Sequence, residues 1–262
     1  MGKKLIFFDI DGTLLDETTF TVPASAIEAI HQAQKNGHLC FINTGRPVST
    51  IDQVILDIGM DGYICGCGTY AEYHGKEIFH VEIEESKRQG IIQKAYEFHI
   101  DAVLEGKQGA FFRDDGFHYL MTDCRKRYIQ EGLPAHQYSV NDVVMFDKFA
   151  AGYDETGDIE AFREYLEPEF EVIQRAHDFI EVIPSSCSKA TGIQLLVDYL
   201  NMHIDNTIGI GDSTNDLSML KFTKESVAMG NSNPLLFDEV TYITTDINED
   251  GIANALKHFQ LI

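Results

Sequence analysis

Apolar and polar positions follow one rhythm at both ends of this chain and another in the middle. Lys4–Phe8 (KLIFF) is a short apolar run, the pattern of a strand buried on both faces. Over Thr21–Asn36, Ala26, Ile27, Ile30 and Ala33 recur at helical spacing. Thr21 or Ser25 is placed to cap that helix, Pro23 suits its first turn and Gly37 is a natural stop. His38–Asn43 predicts a second buried strand, Pro47–Ile58 a second helix and Gly62–Cys65 a third strand. Strand, helix, strand, helix, strand implies a parallel sheet with right-handed crossovers. Ligands bind such sheets in the loops at the carboxyl ends of the strands.

The middle reads differently. Tyr70–Ile83 predicts a hairpin turning near His74–Gly75, and Ala110–Leu120 a hairpin around Asp114–Gly116. Glu84–His99 and Asp158–Leu166 are helix-like, while Lys148–Tyr153, Phe170–Gln174 and Phe179–Ile183 read as strands. From Ser188 the first rhythm returns, with a helix at Lys189–Leu200, a strand at Thr207–Ile210, a helix start at Asp216–Lys221, a strand at Ser226–Met229 and a closing helix at Gly251–Phe259. The fold class is therefore α/β, a parallel-sheet core with an inserted α+β domain. Residues 1–82 and 185–262 form the core and residues 83–184 the insertion.

Composition narrows the function. Hydrophobic residues make up 44% of the 262, enough to bury a core. The formal charge is −22, opposite to the basic footprint of a general nucleic-acid binder. The same field repels anionic substrates, so phosphate chemistry here needs local cations, a bound metal first among them. No apolar run spans a membrane, no signal-peptide pattern opens the chain, and five scattered cysteines fit a reduced, cytoplasmic setting. Cys65 and Cys67 form a C-x-C pair with no second pair to complete a zinc site. The ten histidines make no H-x-x-x-H pattern, and there is no P-loop, G-x-G-x-x-G or G-x-S-x-G.

Four loops carry the candidate chemistry. In Asp9-Ile10-Asp11-Gly12-Thr13, two carboxylates two residues apart leave a strand end together. One can attack phosphorus while the other handles the leaving-group proton, and both are hard oxygen ligands for Mg²⁺. Asn43-Thr44-Gly45-Arg46-Pro47 offers amides, a hydroxyl and a guanidinium to an anion, although a simple helix cap reads equally well. Lys189 opens a helix, where its charge opposes the dipole, which suggests an anionic partner, either phosphate or an aspartate. Gly211-Asp212-Ser213-Thr214-Asn215-Asp216 follows a buried strand with two more carboxylates, serving either a metal or an N-cap box.

Taken together, the motifs resemble the haloacid dehalogenase superfamily of phosphohydrolases, specifically the Cof-type subfamily with a class IIB cap. DIDGT at Asp9–Thr13, NTGR at Asn43–Arg46, the Ser188-Lys189 pair and GDSTND at Gly211–Asp216 match in order and spacing. Ala228–Asn231 and Asn248–Gly251 resemble subfamily signatures. The resemblance implies a Rossmann-like core under a mobile C2B cap and hydrolysis of a small-molecule phosphate ester. It implies Asp9 as nucleophile and Asp11 as acid and base. Mg²⁺ would be held by the Asp9 carboxylate, the Asp11 carbonyl and Asp212, with Asp216 behind them. Thr44, Gly45, Lys189 and Asn215 would hold the phosphoryl oxygens, and Arg46 would reach substrate or cap.

Two departures stand out. Cys67-Gly68 replaces the family's usual Asn-Gly, and Ser185-Ser186-Cys187 lies where a glycine is common. Within the cap, Asp115, His118 and Arg125 are candidates for reading the substrate, with ordinary surface positions the simpler expectation. A phosphomutase and a non-catalytic ligand-binding protein are the competing readings, and the oligomeric state is open.

Overall fold

In the computed structural model, which describes residues 2–262, the chain forms two compact units. The first comprises the residues up to Gly45, then Asp52–Phe79 and Ser188–Ile262; the second comprises Arg46–Ile51 and His80–Cys187. The long excursion thus begins and ends three residues from the boundaries expected at 82 and 184. The placement of Arg46–Ile51 corrects the sequence reading, which kept that segment in the core.

In chain order the first unit starts with β1 (Leu5–Phe8), α1 (Ala24–Lys35), β2 (Leu39–Asn43), α2 (Gln53–Leu56), β3 (Gly62–Cys65), β4 (Tyr70–Tyr73) and β5 (Lys76–His80). The second unit continues with α3 (Glu85–Glu97), β6 (Asp101–Gly106), β7 (Gly109–Arg113), α4 (Tyr119–Glu131), β8 (Ala135–Tyr138), β9 (Lys148–Gly152), α5 (Ile159–Leu166), β10 (Phe170–Ala176) and β11 (Phe179–Pro184). The first unit resumes with α6 (Lys189–Tyr199), β12 (Thr207–Gly211), α7 (Leu217–Phe222), β13 (Glu225–Ala228), β14 (Tyr242–Ile243) and α8 (Gly251–His258).

The first sheet has the order β14-β13-β12-β1-β2-β3-β4-β5. It is parallel from β14 through β3, and β4 turns back antiparallel on β3. Every residue of β1, β2 and β12 is buried, as their unbroken apolar runs require. The chain reverses its winding at β1, between β2 and β12, so Asp9 leaves the sheet at the topological switch point.

The second sheet has the order β10-β11-β9-β6-β7-β8, antiparallel except for the β7–β8 pair. Alternation in β6 sends Ala102 and Leu104 toward Ile91 and Ile92 of α3 and Phe162 of α5. Val103 goes to the other face, with Phe112, Met121 and Tyr128.

Three local expectations fail. Pro47–Ile58 is not one helix but a three-residue turn at Val48–Thr50 and the short α2. The break falls where the chain returns to the first unit, and Ser49 Oγ donates to the Gly106 carbonyl at 2.6 Å. Ala110–Leu120 is not a hairpin. β7 pairs back on β6, and Asp114–Gly116 turns instead into α4. The first helix starts on Pro23 with no side-chain cap, so neither Thr21 nor Ser25 has that role.

Candidate active site

The site is built where β1 and β12 end. Asp9, buried to 2% exposure, is the first residue beyond β1, and its N–H donates to the Ile210 carbonyl. The next residues fold into a tight turn, with the N–H groups of Leu14 and Leu15 donating to the Ile10 carbonyl. Gly12 has φ +76°, and a Cβ there would lie 2.4 Å from Asp212 Oδ2. Only glycine lets the two loops approach this closely. Thr13 Oγ1 then donates to Asp212 Oδ1 at 2.9 Å.

Lys189 enters from α6. Ser188 caps that helix, accepting from Thr191 N at 3.1 Å while its own N–H donates to Thr191 Oγ1 at 2.8 Å. The lysine is 1% exposed, and its Nζ donates to Asp9 Oδ1 at 2.7 Å and Asp216 Oδ1 at 2.6 Å. The two aspartates offset the dipole penalty of a cation at a helix start. They also raise the lysine's pKa despite its burial. Asn43 Nδ2 donates to the Lys189 carbonyl at 3.0 Å and ties α6 to the end of β2.

Gly68 completes this support. Its φ is +90°, and a Cβ would lie 2.2 Å from the Ser188 carbonyl oxygen. Gly68→Ala is therefore expected to destabilise the fold by about 2–3 kcal/mol and to displace the lysine. Chemical denaturation together with an activity assay checks this, and a variant matching the parent in both would remove Gly68 from the argument. Cys67, where the resemblance expects asparagine, is buried in the left-handed region at φ 55°, and its N–H donates to the Thr44 carbonyl.

Asp216 is fully buried. Its Oδ2 accepts from the N–H groups of Asp212 and Ser213, both at 3.0 Å. The N-cap-box reading of this loop is thus correct as geometry, since Ser213 and Asp216 form a reciprocal box. Yet the same carboxylate faces Lys189, so the cap and the charge cluster are one structure. Oxygens of Asp9, Asp212 and Asp216 converge to within 4.8 Å of one another.

Of the expected site residues, Asp9, Lys189, Asp212 and Asp216 are brought together. Asp11 is half-buried beside them and its carboxylate is not part of the convergent set. Thr44 is buried at the end of β2, Gly45 is the last residue of the first unit's opening segment, and Arg46 belongs to the second unit. Asn215 lies in the turn after β12 and accepts from Ser213 Oγ at 2.5 Å.

The sequence reading gave no role to Asn231. Its Nδ2 donates to the Gly12 carbonyl at 2.7 Å, and its Oδ1 accepts from Ile247 N at 3.0 Å. It thereby clasps the Asp9–Thr13 turn to the loop before α8. The signal available was its place in the Ala228–Asn231 signature.

Three carboxylates and one ammonium carry a formal charge of −2 in a desolvated site. Burial, followed by the charge of Asp216, pushes the Asp9 carboxyl up to about 8, with Lys189 opposing. The same two causes push Asp212 up to about 7, opposed by the Thr13 hydrogen bond. A divalent cation would neutralise that charge. The hard, all-oxygen donor set fits Mg²⁺ and gives no reason to expect a softer metal.

The sign of the pH effect follows. The unfolded chain releases these protons near 3.8, while the folded chain retains them up to about 7 and 8. The folded state binds more protons across that window, so stability falls as pH rises through it. The metal-free protein is expected to melt lower near pH 8 than near pH 6, and added Mg²⁺ to raise Tm more near pH 8. Calorimetry in chelator and in Mg²⁺ checks both; an equal metal-induced shift at the two pH values would contradict the charge argument.

Residues 6–256 match the model of the haloacid dehalogenase-like hydrolase family. The chain belongs to that family and is a phosphoric monoester hydrolase. Among its relatives are the pyridoxal phosphate phosphatase YbhA of Escherichia coli (strain K12), 26% identical over 97% of both chains. Another is the 5-amino-6-(5-phospho-D-ribitylamino)uracil phosphatase YitU of Bacillus subtilis (strain 168), 27% identical over 97% of both. Among solved structures, the subclass IIB sugar phosphatase BT4131 superposes with a TM-score of 0.83. It is 26% identical, with 99% of this chain and 100% of that one covered. Among the described residues, no helix is long and apolar enough to cross a membrane.

Proposed function

We propose that the protein is a Mg²⁺-dependent phosphatase of small phosphorylated metabolites that works through an aspartyl-phosphate on Asp9. The observation that carries this reading is the buried contact of Lys189 with Asp9 and Asp216 beside Asp212. It joins an anchored carboxylate nucleophile to a site whose charge calls for a divalent cation. The relatives' substrates, pyridoxal phosphate, a phosphoribitylaminouracil and sugar phosphates, support a small monoester as the substrate class.

Asp9, Asp212 and the Asp11 carbonyl would hold Mg²⁺, with Asp216 orienting the set from behind. When bound, the ion supplies positive charge to the phosphoryl oxygens. A carboxylate oxygen of Asp9 attacks phosphorus as the ester P–O bond breaks, and the departing oxygen takes the Asp11 carboxyl proton. Water then attacks the aspartyl-phosphate. It gives a proton back to the Asp11 carboxylate, releasing phosphate and restoring Asp9. Thr44, Gly45, Lys189 and Asn215 would steady the phosphoryl oxygens, and Arg46 would add a charged hydrogen-bond donor for the substrate. Lys189 fixes the attacking group in one rotamer, which converts binding into in-line geometry.

The test is phosphate release from an activated aryl phosphate and from a panel of sugar and cofactor monophosphates, with Mg²⁺ and with chelator. Metal-dependent release is expected, and acid quench should leave a labile phosphoryl group on the Asp9 peptide. Release unaffected by chelator would remove the metal from the reading, and label on another residue would remove Asp9. Asp11→Asn is expected to slow the single-turnover phosphorylation of Asp9 about 10²–10⁴-fold with an alkyl phosphate and far less with an activated aryl phosphate, whose leaving group needs no proton. Equal losses on both substrates would show that Asp11 is not the acid.

A further inference from the structure

The second unit contains a cleft that the proposed chemistry does not use. It has a volume of about 580 Å³ and lies among the loop before α4, the residues after β9 and the turn between β10 and β11. That is the size of a small-ligand pocket. Its loops are built in place. Asp101 Oδ2 accepts from the N–H groups of Phe117 and His118, both at 2.7 Å. Tyr153 donates through its N–H to the Asp178 carbonyl and through its hydroxyl to the His177 carbonyl.

The lining carries polar groups with unmet needs. His118, expected at the surface, is 5% exposed, and neither ring nitrogen makes a hydrogen bond. A Cβ at Gly152 would lie 2.2 Å from this ring, so the glycine is what admits the imidazole. His118 Nε2 is 3.3 Å from Asp178 Oδ2, but without hydrogen-bond alignment. Asp178 Oδ1 is buried and has no hydrogen bond, although the exposed His177 Nδ1 approaches it at 3.4 Å. Unpaired polar atoms in a buried wall are costly, and a ligand that satisfies them recovers that cost.

We propose that this cleft is a second ligand site, for a small organic cation with a flat body. The acids Asp154, Glu155 and Asp178 line it and repel a phosphate ester. The rings of Phe117, Tyr119 and Tyr153 line it beside those acids, and Tyr119 is 56% exposed and so open to a planar cation. The ammonium group of the cation pairs with the carboxylates of Asp154, Glu155 and Asp178.

The probes are benzylamine, benzyl alcohol and benzoate, which share a ring and differ in charge. Each is titrated into the Mg²⁺-loaded full chain with no phosphate ester present, following the histidine ring and Asp178 amide signals by NMR. Failure here therefore leaves the phosphatase reading untouched, and a failed phosphatase assay leaves this result untouched. Benzylamine is expected to bind at least tenfold more tightly than benzoate, with benzyl alcohol between them. Asp178→Asn and Tyr119→Ala are each expected to weaken benzylamine about tenfold. Tyr119 is exposed, so its variant folds and decides the matter if Asp178→Asn does not. Equal binding of benzoate, undiminished binding in Tyr119→Ala, or no shifts up to about 10 mM would overturn the proposal.

Discussion

Replacing Lys189 by methionine is expected to abolish phosphate release and to destabilise the fold by about 3–5 kcal/mol. The lysine lies within contact distance of two carboxylates, Asp9 and Asp216, and all three residues are buried. Methionine has similar volume and preserves the packing of α6, so the loss reports on charge. Without the ammonium, Asp216 stays buried with only the Asp212 and Ser213 amides to hold it. The stability loss should shrink at lower pH, where Asp9 and Asp212 take up protons and the repulsion falls. Urea unfolding near pH 6 and near pH 8, read beside an activity assay, separates the two effects. Parent-like stability at both pH values would mean that the cluster does not depend on Lys189 for charge balance.

Why the sequence led to this cluster is physical. β1, β2 and β12 are buried along their whole length, so each is a short run without charged residues that stands out from the polar segments around it. The acidic motifs follow β1 and β12 directly, and the sheet order places those strand ends side by side. Lys189 stood out because its helix position is locally unfavourable, and local conflict is a mark of function.

The second unit was less legible. α4 reads YLMTDCRKRYIQE and buries only Met121 and Tyr128, so its apolar stripe is too thin to register as a helix. β6 is six residues long, begins with an aspartate and ends with a glycine, both of which read as turn. His118 was marked without its environment, because burial of a polar ring comes from Gly152, thirty-four positions away. Asn231 was likewise invisible as a clasp, since its partners Gly12 and Ile247 are tertiary neighbours. Local pattern carries elements whose burial is uniform, and it fails where packing is decided by distant residues.

Asp9→Asn separates catalysis from stability most sharply. The substitution keeps the shape of the side chain and removes its nucleophilic oxygen, so turnover is expected to fall about 10⁴-fold or more. Stability should not fall with it. Asp9 resists ionisation because burial and the charge of Asp216 outweigh the help from Lys189. A neutral amide relieves that conflict, and Lys189 remains paired with Asp216. In chelator near pH 8 the variant is therefore expected to melt at or above the parent. It should also gain less from Mg²⁺, since one carboxylate has left the cluster. This is the behaviour of a site that holds destabilising charge for the sake of its chemistry. Near-normal turnover would refute the covalent route through Asp9. A variant that lost activity and also melted well below the parent would instead make Asp9 a structural partner of Lys189, and the nucleophile would have to be sought elsewhere.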